Sequence, residues 1–323
     1  MNGLTWVART IMTLLALSML ASLSLAACTG AGILDQVSRY RTTAYDVHLE
    51  GNYAYVANNE GVYIIDVSQA ERPQKAGAIH TGTAFGVFVA NDLVYVAGEK
   101  GLNIADASDP TDPLPLGEYA SAGNSEQVRV DGSFAYLATS MGLEIVDVRD
   151  PGSPTLVGKY VTSGGAKSLA LHGSYVYLAN PKVGLEVIDV TVPSAPEKIG
   201  TVFGTQNAWD IHVQGDRAYV ACNYTGVRIL DVSNSGAPEV IGQFNDHDGG
   251  EALGVWGDED RLFVADNFGI EVIDITDPAH PFEMGTYENV NGAHDISVDG
   301  TLVYVAEGNQ GLIILELEAD QGR

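Results

Sequence analysis

Seven times along this chain the same pattern of residues returns, and a repeat of about 40 residues leaves few folds open. Its most regular part centres on an aromatic residue. The copies are NYAYVAN (52–58), DLVYVAG (92–98), SFAYLAT (133–139), SYVYLAN (174–180), DRAYVAC (216–222), DRLFVAD (260–266) and TLVYVAE (301–307). A glycine then opens a second run: GVYIIDV (61–67), GLNIADA (101–107), GLEIVDV (142–148), GLEVIDV (184–190), GVRILDV (226–232), GIEVIDI (269–275) and GLIILEL (311–317). The central residues Tyr55, Tyr95, Tyr136, Tyr177, Tyr219, Phe263 and Tyr304 lie 40 to 44 residues apart. Short β-branched and aromatic runs separated by polar or glycine pairs read as strands, with no helical periodicity.

Six copies continue alike. Pro73, Pro113, Pro154, Pro196, Pro238 and Pro281 each follow the acid that ends the second run by seven residues. Four residues later comes Gly77, Gly117, Gly158, Gly200, Gly242 or Gly285, inside a further strand. With a short strand before the aromatic run, each copy holds four strands, which is one antiparallel propeller blade. The spacing therefore predicts an all-β, seven-bladed propeller. The seventh copy lacks its fourth strand. Val37-Ser38-Arg39-Tyr40 matches Val157-Gly158-Lys159-Tyr160 in type and place, so the N-terminal segment is expected to complete the last blade and close the ring.

The consensus positions have physical reasons. A glycine before the third strand suits a left-handed turn. Asp66, Asp106, Asp147, Asp189, Asp231 and Asp274 precede polar turns whose backbone N–H groups a carboxylate can accept. One per blade spreads them around the rim, so they read as turn caps and not as a metal ladder. The aromatic row reads as core, each ring hiding about 150–250 Å².

The first residues stand apart from the repeat. Arg9 is the only charge before Asp35, and an apolar run from Ile11 to Leu20 follows it. Leu25-Ala26-Ala27-Cys28 then resembles the lipobox of bacterial lipoproteins, in which the cysteine is acylated and becomes the first mature residue. This divides the chain into a signal peptide (1–27), a short tether (28–35), the propeller (36–318) and a tail (319–323). An uncleaved anchor and an ordinary signal peptide with a chance cysteine are the alternatives, and all three export the domain. The expected location is the outer side of the cytoplasmic membrane, or the outer membrane and cell surface. Once Cys28 is acylated, Cys222 has no disulfide partner, and packing must hold the fold.

The third-strand run resembles the LVIVD repeat, with GLEIVDV and GLEVIDV nearest and GLNIADA and GLIILEL looser. The resemblance covers essentially the whole of 36–318. It implies a propeller in a prokaryotic surface-associated protein and brings no shared catalytic residues.

Charge narrows the partners. There are 42 acidic against 16 basic residues, a net charge of −26. Such a surface repels phosphate backbones and anionic lipid, so nucleic acid is not an expected partner and membrane contact is expected only through Cys28. Phosphate loops, Gly-x-Ser-x-Gly, His-Glu-x-x-His and paired-cysteine motifs are missing, and no catalytic residue is assigned.

Fold does not dictate function, so chemistry is sought where the repeats differ. The crossovers into each blade read Tyr45-Asp46, Phe85-Gly86, Glu126-Gln127, Lys167-Ser168, Trp209-Asp210, Leu253-Gly254 and His294-Asp295. Rings beside acids stand in blades 1, 5 and 7, and loops of blades 5 and 6 add Tyr224 and Phe268. Tyr45, Asp46, Trp209, Asp210, Tyr224, Phe268, His294 and Asp295 are the candidate ligand-binding residues, expected on one sector of one face. They suit sugar rings, cationic groups or a basic protein segment. The competing reading is that the aspartates cap strand starts and the rings pack between blades.

Asp-x-His occurs at His48 and His212, where a shared metal would have to lie on the ring axis. The acidic crossover with Asp246 and Asp248 invites a calcium ion but departs from EF-hand spacing. No cofactor is expected, calcium being the one candidate. The residues point to a membrane-anchored binding or scaffolding module for a surface protein or carbohydrate. An extracytoplasmic hydrolase or lyase working at the channel mouth, metal-assisted or not, is the competing class, and a purely architectural lipoprotein is the third.

Overall fold

Strands this short cannot bury both faces alone, and the chain solves this by stacking them as blades around an axis. A computed structural model of the chain describes residues 33–245, 249–288 and 292–318. Its 28 strands form seven four-stranded antiparallel sheets. Within each sheet, sequence neighbours pair, as in Asp46–Glu50, Tyr53–Asn58, Gly61–Asp66 and Gln74–His80 of blade 1. The innermost strands are Asp46–Glu50, Ala84–Ala90, Ser125–Asp131, Ser168–His172, Asp210–Gln214, Gly254–Gly257 and Asp295–Asp299. Each packs against the next, and the last packs against the first, so the ring is closed.

The core lies between blades. One cluster joins Tyr55, Ala57, Val62 and Ile64 of blade 1 to Val87, Val89, Val94 and Val96 of blade 2, and comparable clusters follow around the ring. Second strands are thus covered on both faces, which is why they read as near-continuous apolar runs. All seven central aromatics are buried, with Tyr177, Tyr219 and Phe263 at 0 % exposure.

The N-terminal segment completes the last blade. Leu34–Tyr40 pairs antiparallel with Gly311–Leu317, from Leu34 opposite Leu317 to Tyr40 opposite Leu312. The strand begins at Leu34, two residues before the boundary expected from the repeat. Arg39 Nη2 lies 3.1 Å from Oε2 of the buried Glu307, tying the closing strand to the end of its neighbour-but-one. Gly77 admits the Pro110 carbonyl of the next blade so closely that a Cβ would stand 2.2 Å from it. At the matching place in the closing strand Ser38 donates its hydroxyl to the Ala70 carbonyl of blade 1, so the seam reproduces the contact found between the other blades.

All six turn aspartates accept a backbone N–H two residues on, from Ser68, Ser108, Arg149, Thr191, Ser233 and Thr276. They are caps. The glycine before the third strand has a further reason. Gly142 has φ +134°, but Gly269 lies outside the left-handed region, and its Cβ would still meet the Tyr287 carbonyl at 2.2 Å. Close approach of the fourth strand therefore governs this position as much as backbone handedness does.

Candidate functional site at the channel mouth

The innermost strands run down the central channel, and their period of two puts alternate residues on its wall. The second residue of each crossover heads this wall: Asp46, Gly86, Gln127, Ser168, Asp210, Gly254 and Asp295. Four of them latch one blade to another through a backbone N–H. Asp295 Oδ2 accepts Val47 N at 3.0 Å, Asp46 Oδ2 accepts Val87 N at 2.6 Å, and Asp210 Oδ2 accepts Val255 N at 2.9 Å. Gln127 Oε1 does the same for Leu169 N at 3.1 Å and also accepts the Ser168 hydroxyl at 2.9 Å. Gly86 and Gly254 have no side chain to offer, and the following blade's backbone fills the space: a Cβ would lie 2.8 Å from Glu126 O or 2.6 Å from His294 O.

Above this ring the crossover face opens as a funnel of about 560 Å³, walled by Tyr45, Phe85, Trp209, Leu253 and His294. Below it a cavity of about 380 Å³ continues down the channel. Asp46, Asp210 and Asp295 line both spaces, so they form the constriction between them. The Asp46 and Asp295 carboxyls are close neighbours across the seam between blades 1 and 7. Asp210 and Asp295 keep a little surface open to the channel while the wall encloses them. Burial pushes the Asp295 carboxyl well above the usual carboxylate range, and the charges of Asp46 and Asp210 add to the effect. Burial raises Asp210 as well, opposed by hydrogen bonds from Ser168, Val255 and Ile211 and by the Arg129 charge.

Six of the eight candidate ligand-binding residues come together here: Tyr45, Asp46, Trp209, Asp210, His294 and Asp295. Tyr45 packs on Phe85 and His294, with centroids 6.3 and 6.2 Å away, and the Lys167 ammonium lies 5.6 Å above the Trp209 ring. Tyr224 stands outside, 70 % exposed, beside Glu251 of the funnel wall. Phe268 lines a different groove beside Asp266, Glu271 and Tyr287, so it does not join the others. The lining also runs around the whole mouth, through Glu126, Gln127, Lys167 and Ser168 of blades 3 and 4, and is not confined to one sector.

Two residues down each strand lies a second row: His48, Phe88, Arg129, Ala170, His212, Trp256 and Ser297. The two histidines turn to aromatic neighbours and not to each other. His48 lies 4.9 Å from the Phe88 ring and His212 5.4 Å from Trp256. Among the described residues no three His, Cys, Asp or Glu side chains gather at metal-holding distance. Asp246 and Asp248 lie outside the described residues, as does Cys28. Cys222 is buried, and burial pushes its thiol up to about 12, far from the thiolate that reactivity needs. Arg129 is the residue the reading of Asp-x-His passed over. The signal was present, because Gln127-Val128-Arg129 occupies the same column as Asp46-Val47-His48.

Burial, with Arg129 adding to it, pulls His48 and His212 down to about 4. A histidine whose folded pKa lies below its unfolded one contributes nothing above pH 6.5. It loses stability as the pH falls from there to about 4, because the unfolded chain binds the proton first. Each residue is expected to remove about 2–3 kcal/mol over that window. Chemical denaturation at pH 7.5 and pH 4.5 checks this, since His212→Gln should flatten the dependence. An equal slope in wild type and variant would show that the buried imidazole takes no part.

The family model described as LVIVD repeat matches seven stretches, 42–81, 81–121, 122–162, 163–203, 206–246, 249–289 and 292–316. No curated protein matches the chain in sequence. Among solved structures, the chain is similar to the β-propeller domain of Cps50 (Swd1) from Myceliophteria thermophila. The TM-score is 0.72 at 12% identity, over 87% of this chain and 99% of that one. It is also similar to the computationally designed Ika8 protein, with a TM-score of 0.64 at 8% identity over 87% and 98% of the two chains. Identities this low speak for the fold alone.

Proposed function

The chain belongs to the LVIVD-repeat family, and from that premise we propose that it is an exported, lipid-anchored binding module whose ligand, a surface protein or carbohydrate, seats in the crossover-face funnel. One observation carries this reading: an aromatic-walled funnel of about 560 Å³ narrows onto three carboxyls at the channel mouth. Rings with accessible faces above buried polar groups are the usual make-up of a ligand site. The latches alone do not call for Trp209, Tyr45 and Phe85 around an open space.

Trp209→Ala tests it. Interface tryptophans of this kind contribute about 2 kcal/mol or more, so binding to cell-envelope fractions should weaken about thirtyfold. The melting temperature should stay close to wild type, because Trp209 is only partly buried and holds no blade-to-blade latch. Tyr119→Ala provides the contrast, since Tyr119 donates to the buried Glu144 at 3.0 Å and its loss should show in melting. If Trp209→Ala unfolds the protein as readily as Tyr119→Ala, the ring is packing and the funnel reading fails.

Anchoring rests on Leu25-Ala26-Ala27-Cys28. Metabolic labelling with an alkyne fatty acid should mark the wild type and spare Cys28→Ser, and equal labelling of both would overturn it.

The neighbouring carboxyls of Asp46 and Asp295 favour a second reading, a hydrolase or lyase with an acid and a base at the channel mouth. On that reading Asp46→Asn would abolish turnover of a glycoside or ester by the purified protein while leaving its melting temperature close to wild type, because an asparagine carbonyl can still accept Val87 N.

A further inference from the structure

The repeat serves as its own control for what the crossover face needs. At the tip between second and third strands, blades 1, 2, 4 and 7 present Glu60, Lys100, Lys182 and Gln310, all polar and exposed, and blade 3 has Met141. Blades 5 and 6 place rings at that tip, Tyr224 and Phe268, 70 % and 53 % exposed. Where the outer strand of blade 4 gives way to the crossover, Phe203 stands 90 % exposed. The same step carries Asn245 after blade 5, Glu288 after blade 6 and Arg41 after the closing strand.

Single exposed rings are ordinary on a protein surface. These three are joined. Arg228 Nε donates to the Gly204 carbonyl, next to Phe203, at 3.0 Å, and its Nη1 donates to the Thr225 carbonyl, next to Tyr224, at 2.7 Å. Tyr224 stands beside Glu251, whose backbone N–H donates to Asn267 Oδ1, next to Phe268, at 2.8 Å. The rings therefore follow one arc along the rim of blades 4, 5 and 6, outside the funnel lining. The arc ends in a groove of about 330 Å³ that Phe268 lines along the outer strand of blade 6. Among the described residues that lining holds four acids, Asp266, Glu271, Glu283 and Glu288, and no base.

The groove's chemistry selects its occupant. Exposed rings take a partner's apolar side chain, and acids with no base among them take its positive charge. A second copy would set acids against acids, and the net charge of −26 opposes that pairing. Both ends of the described chain leave elsewhere. Glu318 N donates to Ile33 O at 2.9 Å on the opposite face, at the far end of Gly311–Leu317 from the crossovers. We propose that the arc Phe203–Tyr224–Phe268 and its groove form a docking surface for a protein segment carrying an apolar side chain between lysines or arginines. The surface is separate from the funnel and does not depend on what the funnel binds.

Fluorescence polarisation with the purified full-length protein tests it with three dye-tagged peptides: phenylalanine flanked by lysines, phenylalanine flanked by glutamates, and serine flanked by lysines. The first should bind at least about tenfold more tightly than either of the others. Phe203→Ser and Phe268→Ser should each weaken that binding about tenfold, with melting temperatures close to wild type because both rings are exposed. Val192→Ser, which removes a side chain 56 % exposed on the opposite face, should leave it unchanged. Equal binding of the three peptides, or binding of none, overturns the inference. So does binding that Trp209→Ala removes and Phe268→Ser spares, which would seat the peptide in the funnel. Sedimentation of the wild type gives the remaining outcome: a dimer that Phe203→Ser dissolves would assign the arc to a second copy and overturn the basic partner.

Discussion

Removing residues 29–43 is expected to lower the melting temperature by about 10 °C or more. The closing strand Leu34–Tyr40 contributes the whole outer edge of the last blade, and Leu34 is 2 % exposed among core residues of the last two blades. Losing a buried leucine side chain alone costs about 2–5 kcal/mol. Losing Arg39 as well leaves the fully buried Glu307 without its guanidinium, and breaking one side of a buried pair costs about 3–5 kcal/mol. In a domain of this size each kcal/mol is worth about 2–4 °C. Arg39→Met separates the two contributions by keeping the strand and removing only the charge. Thermal unfolding followed by circular dichroism reads both variants. An unchanged transition after the deletion would mean that the ring does not depend on this strand.

The closing strand was legible because it is a fragment of the repeat displaced to the other end of the chain: Val37-Ser38-Arg39-Tyr40 has the pattern that Gly311–Leu317 lacks after it. The caps at Asp66 to Asp274 and the aromatic row were legible for the same reason, since a position that recurs seven times reveals its environment by what it tolerates. The site was harder to read. Trp209 and His294 were found as departures from the pattern, but Phe268 departs too and lies in another groove. A crossover loop's sequence tells that it is unusual, and not which way its side chain turns. Arg129 was missed for a different reason. Asp-x-His is a motif of a single blade, whereas the channel wall is a column through all seven, and its electrostatics follow from the whole column.

That column leads to the second large effect. Asp295→Asn is expected to stabilise the protein, and increasingly so as the pH rises above the ordinary carboxylate range. The Asp295 carboxyl is raised above its unfolded value by burial and by Asp46 and Asp210. A carboxyl with a raised folded pKa favours the folded state at low pH, and that contribution is lost as the pH climbs through the folded value. An asparagine never ionises, so it escapes the loss. Its carbonyl can still accept Val47 N, as Gln127 accepts Leu169 N in blade 3, and its amide can donate to Asp46. Replacing buried charge by a neutral group of like shape gives about 1–4 kcal/mol where it is favourable. The turn caps do not confuse the result. Hydrogen bonds lower Asp66, Asp106, Asp147, Asp189 and Asp231, so their contribution weakens only as the pH falls through the acid range. Urea unfolding of both proteins at pH 5, 6.5 and 8 gives the comparison. A variant equally or less stable than wild type at pH 8 would show that the carboxylate serves the fold, and its part in the funnel site would lose its footing. A variant that is more stable and binds worse would place Asp295 where stability has been given up for recognition.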